Sequence, residues 1–165
     1  MDNIILIGMP GSGKSSVGVV LAKILGWDFL DVDLLIQKRS GKRLQEMIGE
    51  LGNEGFLEQE ADAVESIDCT RTVIATGGSA VLNPRGLNRL RQLGRLVYLE
   101  HPFEEIQRRI PNLATRGITL AEGQTLKDLY DYRTPIYEGV ADITINAENC
   151  TIEETARAVQ QAAGL

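Results

Sequence analysis

Gly8-Met9-Pro10-Gly11-Ser12-Gly13-Lys14-Ser15 satisfies the pattern G-x-x-x-x-G-K-[ST]. It sits where that pattern has physical meaning: directly after the apolar run Asn3 to Ile7, and at the start of a helical periodicity running from about Ser15 to Leu25. Glycines let the backbone curl so that successive N–H groups face an anion, and the helix N-terminus adds positive potential. Gly11, Ser12, Gly13, Lys14, Ser15 and Ser16 are therefore the candidate triphosphate-binding residues. Lys14 is expected to reach the terminal phosphates, and the Ser15 hydroxyl to help coordinate Mg²⁺. A chance match in a chain of this composition arises about once in two hundred such chains. The motif is shared by kinases, switch GTPases, motors and simple hydrolases. No guanine-reading N-K-x-D segment occurs, and 165 residues are too few for a typical motor core.

Outward from the loop, short apolar runs recur at Trp27 to Leu30, Thr72 to Ala75, Leu96 to Leu99 and Asp142 to Ile145, and read as buried strands. Helical patterns occupy Gly52 to Ile67, Pro84 to Leu93, Phe103 to Ile110, Thr125 to Tyr137 and Ile152 to Ala163. Alternating strands and helices imply an α/β fold, a parallel sheet covered on both faces. Residues 33–67 are long for a simple crossover. They hold at least two helical pieces split near Gly49, Gly52 and Gly55, and are expected to carry the acceptor site. The irregular stretch 111–124 reads as a mobile loop, the candidate lid.

The length suits a single domain, residues 1–165. A net charge of -6 argues against broad nucleic-acid binding, and no apolar run approaches the roughly 20 residues that cross a bilayer. Cys69 and Cys150 match no metal-ligand spacing and are too few for a disulfide framework. The expectation is a cytoplasmic protein with no membrane or nucleic-acid partner.

Asp31-Val32-Asp33 falls where the second strand meets the rim of the sheet. Two carboxylates two residues apart on an extended chain face the same way, so one can orient Mg²⁺ or take a proton while the other binds acceptor hydroxyls. Asp33 has a second reading, as N-cap of a helix over 34–39. Thr76-Gly77-Gly78-Ser79 is either a pocket wall of bare backbone or an ordinary turn with Asn83 or Ser79 helping to cap. Arg116 lies in that loop, as an ordinary solvated arginine or, where the loop closes over a phosphoryl group, as one that neutralises transition-state charge. Arg109 follows Glu105 by four residues, a spacing that stabilises a helix by itself. Arg133 shares a helical face with Tyr130 and Tyr137, as packing or as a carboxylate clamp. His101 receives no role.

With these pieces in order, the chain resembles the shikimate kinase family from about Asn3 to the C-terminus. The resemblance implies a three-layer P-loop kinase fold with five parallel strands in order 2-3-1-4-5. It implies transfer of the ATP γ-phosphoryl group to a hydroxyl of shikimate by a Mg²⁺-dependent enzyme, with a weak indication of a monomer. It makes Lys14 and Ser15 the phosphate and Mg²⁺ residues, and Asp31 the support for metal and hydroxyl activation. Asp33, Gly77, Gly78 and Arg133 become the acceptor pocket, Arg116 the catalytic lid arginine, and Arg109 a platform near adenine. Three departures fall on the acceptor side. The family's F-R-x-x-E reads Phe56-Leu57-Glu58-Gln59-Glu60, the usual third glycine is Ser79, and the lid reads Arg116-Gly117-Ile118-Thr119 in place of R-P-L-L. Leu57 removes an arginine, so Glu60 is expected to leave an extra negative charge beside the acceptor. Lys42 and Arg43 are candidate replacements for the lost cation, and a different small hydroxylated acceptor or a non-catalytic nucleotide binder are the alternatives.

Overall fold

A computed structural model describes residues 2–110, 118 and 120–165. Five strands, β1 (Asn3–Ile7), β2 (Asp28–Asp31), β3 (Thr72–Ala75), β4 (Gly94–Glu100) and β5 (Ile143–Asn146), form one sheet in the order β2-β3-β1-β4-β5. Every pairing is parallel, with Ile5 opposite Ile74 on one side and Leu96 on the other. The strand order implied by the resemblance is the one observed.

The period-two alternation of strand residues divides the interior into two cores. Ile5, Ile7, Ile74, Leu96 and Tyr98 point to one face, and Ile4, Leu6, Val73, Val97 and Leu99 to the other. Helices α1 (Lys14–Leu25) and α7 (Ile152–Ala163) cover the second face through Val17, Leu21, Ala156 and Val159. The first face is covered by α2 (Val32–Ser40), α3 (Leu44–Glu65), α4 (Pro84–Leu93), α5 (Phe103–Arg109) and α6 (Leu126–Val140). Because β1 is flanked on both sides and covered above and below, all five of its residues are buried. That is why its residues from Ile4 to Ile7 read as an unbroken apolar run.

Asn3, 3% exposed, knots the lower end of the sheet. Its amide donates to the carbonyls of Cys69 and Leu93, both at 2.9 Å, and its Oδ1 accepts from Thr72 N–H at 2.9 Å. The stretch 33–67 forms the two expected helical pieces, with α3 bent where Gly52 adopts φ 70° and ψ 178°. The helix begins earlier than the expected Gly52, at Leu44, because Glu46 reaches back to Arg43 N–H and the amide of Met47 bonds to Arg43 O. Among the described residues no helix is long and apolar enough to cross a membrane.

Candidate active site

The phosphate loop spans β1 and α1. Gly13 is the N-cap of α1 with φ 84°, a left-handed conformation that a Cβ disfavours, and no side chain caps the helix. The first amides of a twelve-residue helix are thus left facing the loop, the arrangement that attracts phosphate. Lys14 folds back over the loop, donating to Gly8 O and Met9 O at 2.8 Å and to Ser12 Oγ at 3.3 Å. Burial pulls its ammonium down to about 8, with Asp33 partly opposing. A cation so poorly solvated gains strongly from an arriving anion.

Asp31 and Asp33 divide their work differently from the expectation that both face one cleft. The helix starts at Val32, so the cap is Asp31, whose Oδ1 accepts from Leu34 N–H at 3.1 Å. Asp33 is not the cap; it lies in the first turn of α2. The helical turn rotates it away from Asp31 and into the cleft. Asp31 Oδ2 accepts from the Ser15 hydroxyl at 2.6 Å. This hydroxyl–carboxylate pair at the loop offers Mg²⁺ two hard oxygen ligands. No group of three or more His, Cys, Asp or Glu side chains among the described residues could hold an ion. An ion here must share its shell with phosphate oxygens and water, as Mg²⁺ normally does, and the residues fit it.

Beside the loop opens a cleft of about 420 Å³, its wall including Ser16, Asp33, Glu60, Gly77, Gly78 and Arg133. The two glycines are close-packed. A Cβ on Gly77 would lie 2.8 Å from Asp33 Oδ1 and 2.9 Å from Glu60 Oε2, and one on Gly78 would lie 3.0 Å from Arg133 Nη1. Arg133, 2% exposed, is fixed from α6 next to Tyr137, whose hydroxyl donates to Gly78 O. Burial is the largest cause raising Asp33 to about 6, followed by the Asp31 charge. Of the expected residues the cleft brings together Gly11, Gly13, Lys14, Ser15, Ser16, Asp33, Gly77, Gly78 and Arg133. Ser12 is buried beneath the loop, and Arg109 lies against its back, donating to Gly11 O at 3.4 Å. Arg116 lies outside the described residues, as does most of the expected lid.

Sequence gave one residue no role and left the contacts of another unread. His101, 3% exposed, has Nε2 3.0 Å from Ser12 O and Nδ1 2.7 Å from Glu105 Oε2. It thus buttresses the phosphate loop from below, and its only signal in sequence is the four-residue spacing to Glu105. Glu60 is the second. Ser79, at the departed third glycine, donates to its Oε1 at 2.8 Å, and burial raises Glu60 to about 7. The expected extra negative charge is therefore about half neutralised by protonation at pH 7 and more so below it. Neither candidate for the missing cation takes its place. Lys42 pairs with Glu50 and Arg43 caps α3, while the cations lining the cleft, among the described residues, are Lys14 and Arg133.

The family model described as "Shikimate kinase" matches residues 10–163. The chain belongs to the shikimate kinase family. Relatives in that family include the shikimate kinase of Thermodesulfovibrio yellowstonii, 37% identical over 96% of this chain and 93% of the relative. That of Chlorobium chlorochromatii is 34% identical over 96% and 90%. A shikimate kinase from Acinetobacter baumannii, solved in complex with shikimate, superposes with a TM-score of 0.90 at 32% identity, covering 98% of this chain and 92% of that one. Family membership accounts for the sheet order and the phosphate loop, and this member's Ser79 lines the cleft beside that loop.

Proposed function

We propose that this chain is an ATP-dependent shikimate kinase that transfers the γ-phosphoryl group to a hydroxyl of shikimate. The observation that carries the reading is the convergence of Asp33 and the buried Arg133 on one cleft whose other wall is the phosphate loop. On this reading Asp33 is the proton acceptor and Arg133 the carboxylate anchor, in a cleft that Lys14 also lines. The loop amides and Lys14 bind the phosphates and withdraw charge from the γ-phosphoryl group as it transfers. Ser15 and Asp31 would hold Mg²⁺, which when bound neutralises phosphate charge. Arg133 and the backbone of Gly77 and Gly78 orient the acceptor, so that one hydroxyl oxygen points at the γ-phosphorus.

As that oxygen bonds to phosphorus, the bond from phosphorus to the β–γ bridging oxygen breaks and ADP leaves. The hydroxyl proton passes to Asp33. Asp31 is already committed to Ser15 and Leu34 N–H, whereas Asp33, raised to about 6, is a stronger base than an ordinary carboxylate and still ionised at neutral pH. From the family resemblance, Arg116 supplies a further positive charge and Arg109 the adenine platform. Residues 33–67 serve as the acceptor segment and 111–124 as the lid of one cytoplasmic, monomeric kinase domain.

The reading is tested by ADP release coupled to a dehydrogenase, with Mg²⁺, ATP and shikimate, and by mass detection of the phosphorylated product. Shikimate-dependent turnover that vanishes in Arg133→Ala supports it, and ATP hydrolysis indifferent to shikimate refutes it. One observation favours a second acceptor, a related hydroxylated compound: Leu57 removes a cation that the cleft does not regain among the described residues. Turnover of such a compound in place of shikimate is the outcome that selects it.

A further inference from the structure

Glu60 is 2% exposed and lines the acceptor cleft, with only one of its two oxygens occupied. Oε1 takes the Ser79 hydroxyl, whereas Oε2 is buried without a hydrogen-bond partner. Oε2 sits against Gly77 as Arg133 Nη1 sits against Gly78, so the two flank consecutive residues of the same bare wall. A buried carboxyl oxygen with no donor aimed at it is costly as an anion and useful as an acid, because the protonated form carries a donor outward. Lys14, Asp33 and Arg133 are the charged groups that act on it from the neighbouring elements, and Tyr137 faces it from α6.

We propose that Glu60 binds the acceptor as a neutral acid, its Oε2–H donating to the acceptor's carboxylate beside Arg133, in the place of the cation absent at Leu57. This rests on the acceptor reading above. Ser79 completes the device. Its hydroxyl engages Oε1, which leaves the proton to Oε2, the unpartnered oxygen packed against the Gly77 wall. Acceptor binding then takes up a proton from solvent wherever Glu60 is ionised beforehand. With Glu60 titrating at about 7, its neutral fraction falls from about half at pH 7 to about a tenth at pH 8. Acceptor affinity should therefore weaken roughly fivefold over that interval, since affinity scales with the competent fraction.

The experiment is calorimetric titration of the protein with shikimate from pH 6 to 8.5, in two buffers of different ionisation enthalpy. Wild type should take up more than half a proton per shikimate at pH 8. Glu60→Gln, which keeps a donor and cannot ionise, should bind as well as wild type at pH 6 and roughly tenfold more tightly at pH 8, with the Glu60-dependent uptake gone. Leu57→Arg places a guanidinium one helical turn from Glu60; it should hold the carboxylate ionised and also abolish the uptake. Shikimate binding in wild type without proton uptake, or Glu60→Gln weakening binding at every pH, overturns the inference and leaves the acceptor reading standing. Absence of shikimate binding in all three proteins at every pH overturns both.

Discussion

Glu60 also dictates a pH dependence of folding that needs no ligand. In the unfolded chain its carboxyl titrates near 4.5, and in the folded protein burial raises it to about 7. A group raised on folding contributes stability that is full below pH 4.5, declines as pH rises, and is gone above pH 7. At 1.36 kcal/mol per pH unit, the interval corresponds to roughly 3 kcal/mol. Asp33 adds a decline of the same sign, and Lys14 stays protonated in both states below about pH 8. Glu60→Gln removes only the Glu60 share, because the amide still accepts from Ser79 and never ionises. Urea unfolding of both proteins at pH 5, 6, 7 and 8 measures that share directly. The variant should match wild type within about 1 kcal/mol at pH 5 and exceed it by roughly 3 kcal/mol at pH 8. A gap that does not widen with pH would mean that Glu60 is solvated in the folded protein, and would refute the reasoning.

Other perturbations separate the remaining elements of the site. Lys14→Met removes the cation of the phosphate loop, and should lower kcat about 10²- to 10³-fold in the coupled assay, with the fold intact by circular dichroism. His101→Phe deletes the contact to Ser12 O and leaves Glu105 with a lost partner. The KM for ATP should rise about tenfold while that for shikimate moves little, and equal effects on both would argue against a loop-specific role. Asn3→Ala strips three backbone groups of their buried partner, and should cost about 3 kcal/mol in urea unfolding without altering either KM.

Most of the framework was legible because its causes are local. The run Ile4 to Ile7 is uniformly apolar because both faces of β1 are covered, and the loop motif follows it where β1 leads into the N-terminus of α1. Helices α4 and α7 match their expected bounds because Pro84 and Thr151 mark where they start. The aspartates show where such reasoning stops. Period-two logic holds only while the chain stays extended, and the helix starting at Val32 separates Asp31 from Asp33. The role of His101 and the Ser79 contact of Glu60 were beyond local reading for another reason. Their partners Ser12 and Ser79 lie 89 and 19 residues away, so the contacts exist only once the sheet has assembled. Sequence did flag Leu57 and Ser79 as departures, but not that the new hydroxyl would turn to Glu60.

The position of β1 at the middle of the sheet sets a timetable for the emerging polypeptide. The residues that carry the phosphate loop are made early, yet β1 pairs with Thr72–Ala75 on one side and Gly94–Glu100 on the other. Until some hundred residues have left the ribosome, the loop hangs from a strand with an open edge, and the helix behind it still awaits α7. Nucleotide affinity is thus acquired late in synthesis, as a by-product of closing the sheet. ATP in the surrounding medium can act on this protein as a late folding ligand, favouring chains that have completed their central strands over those that have not.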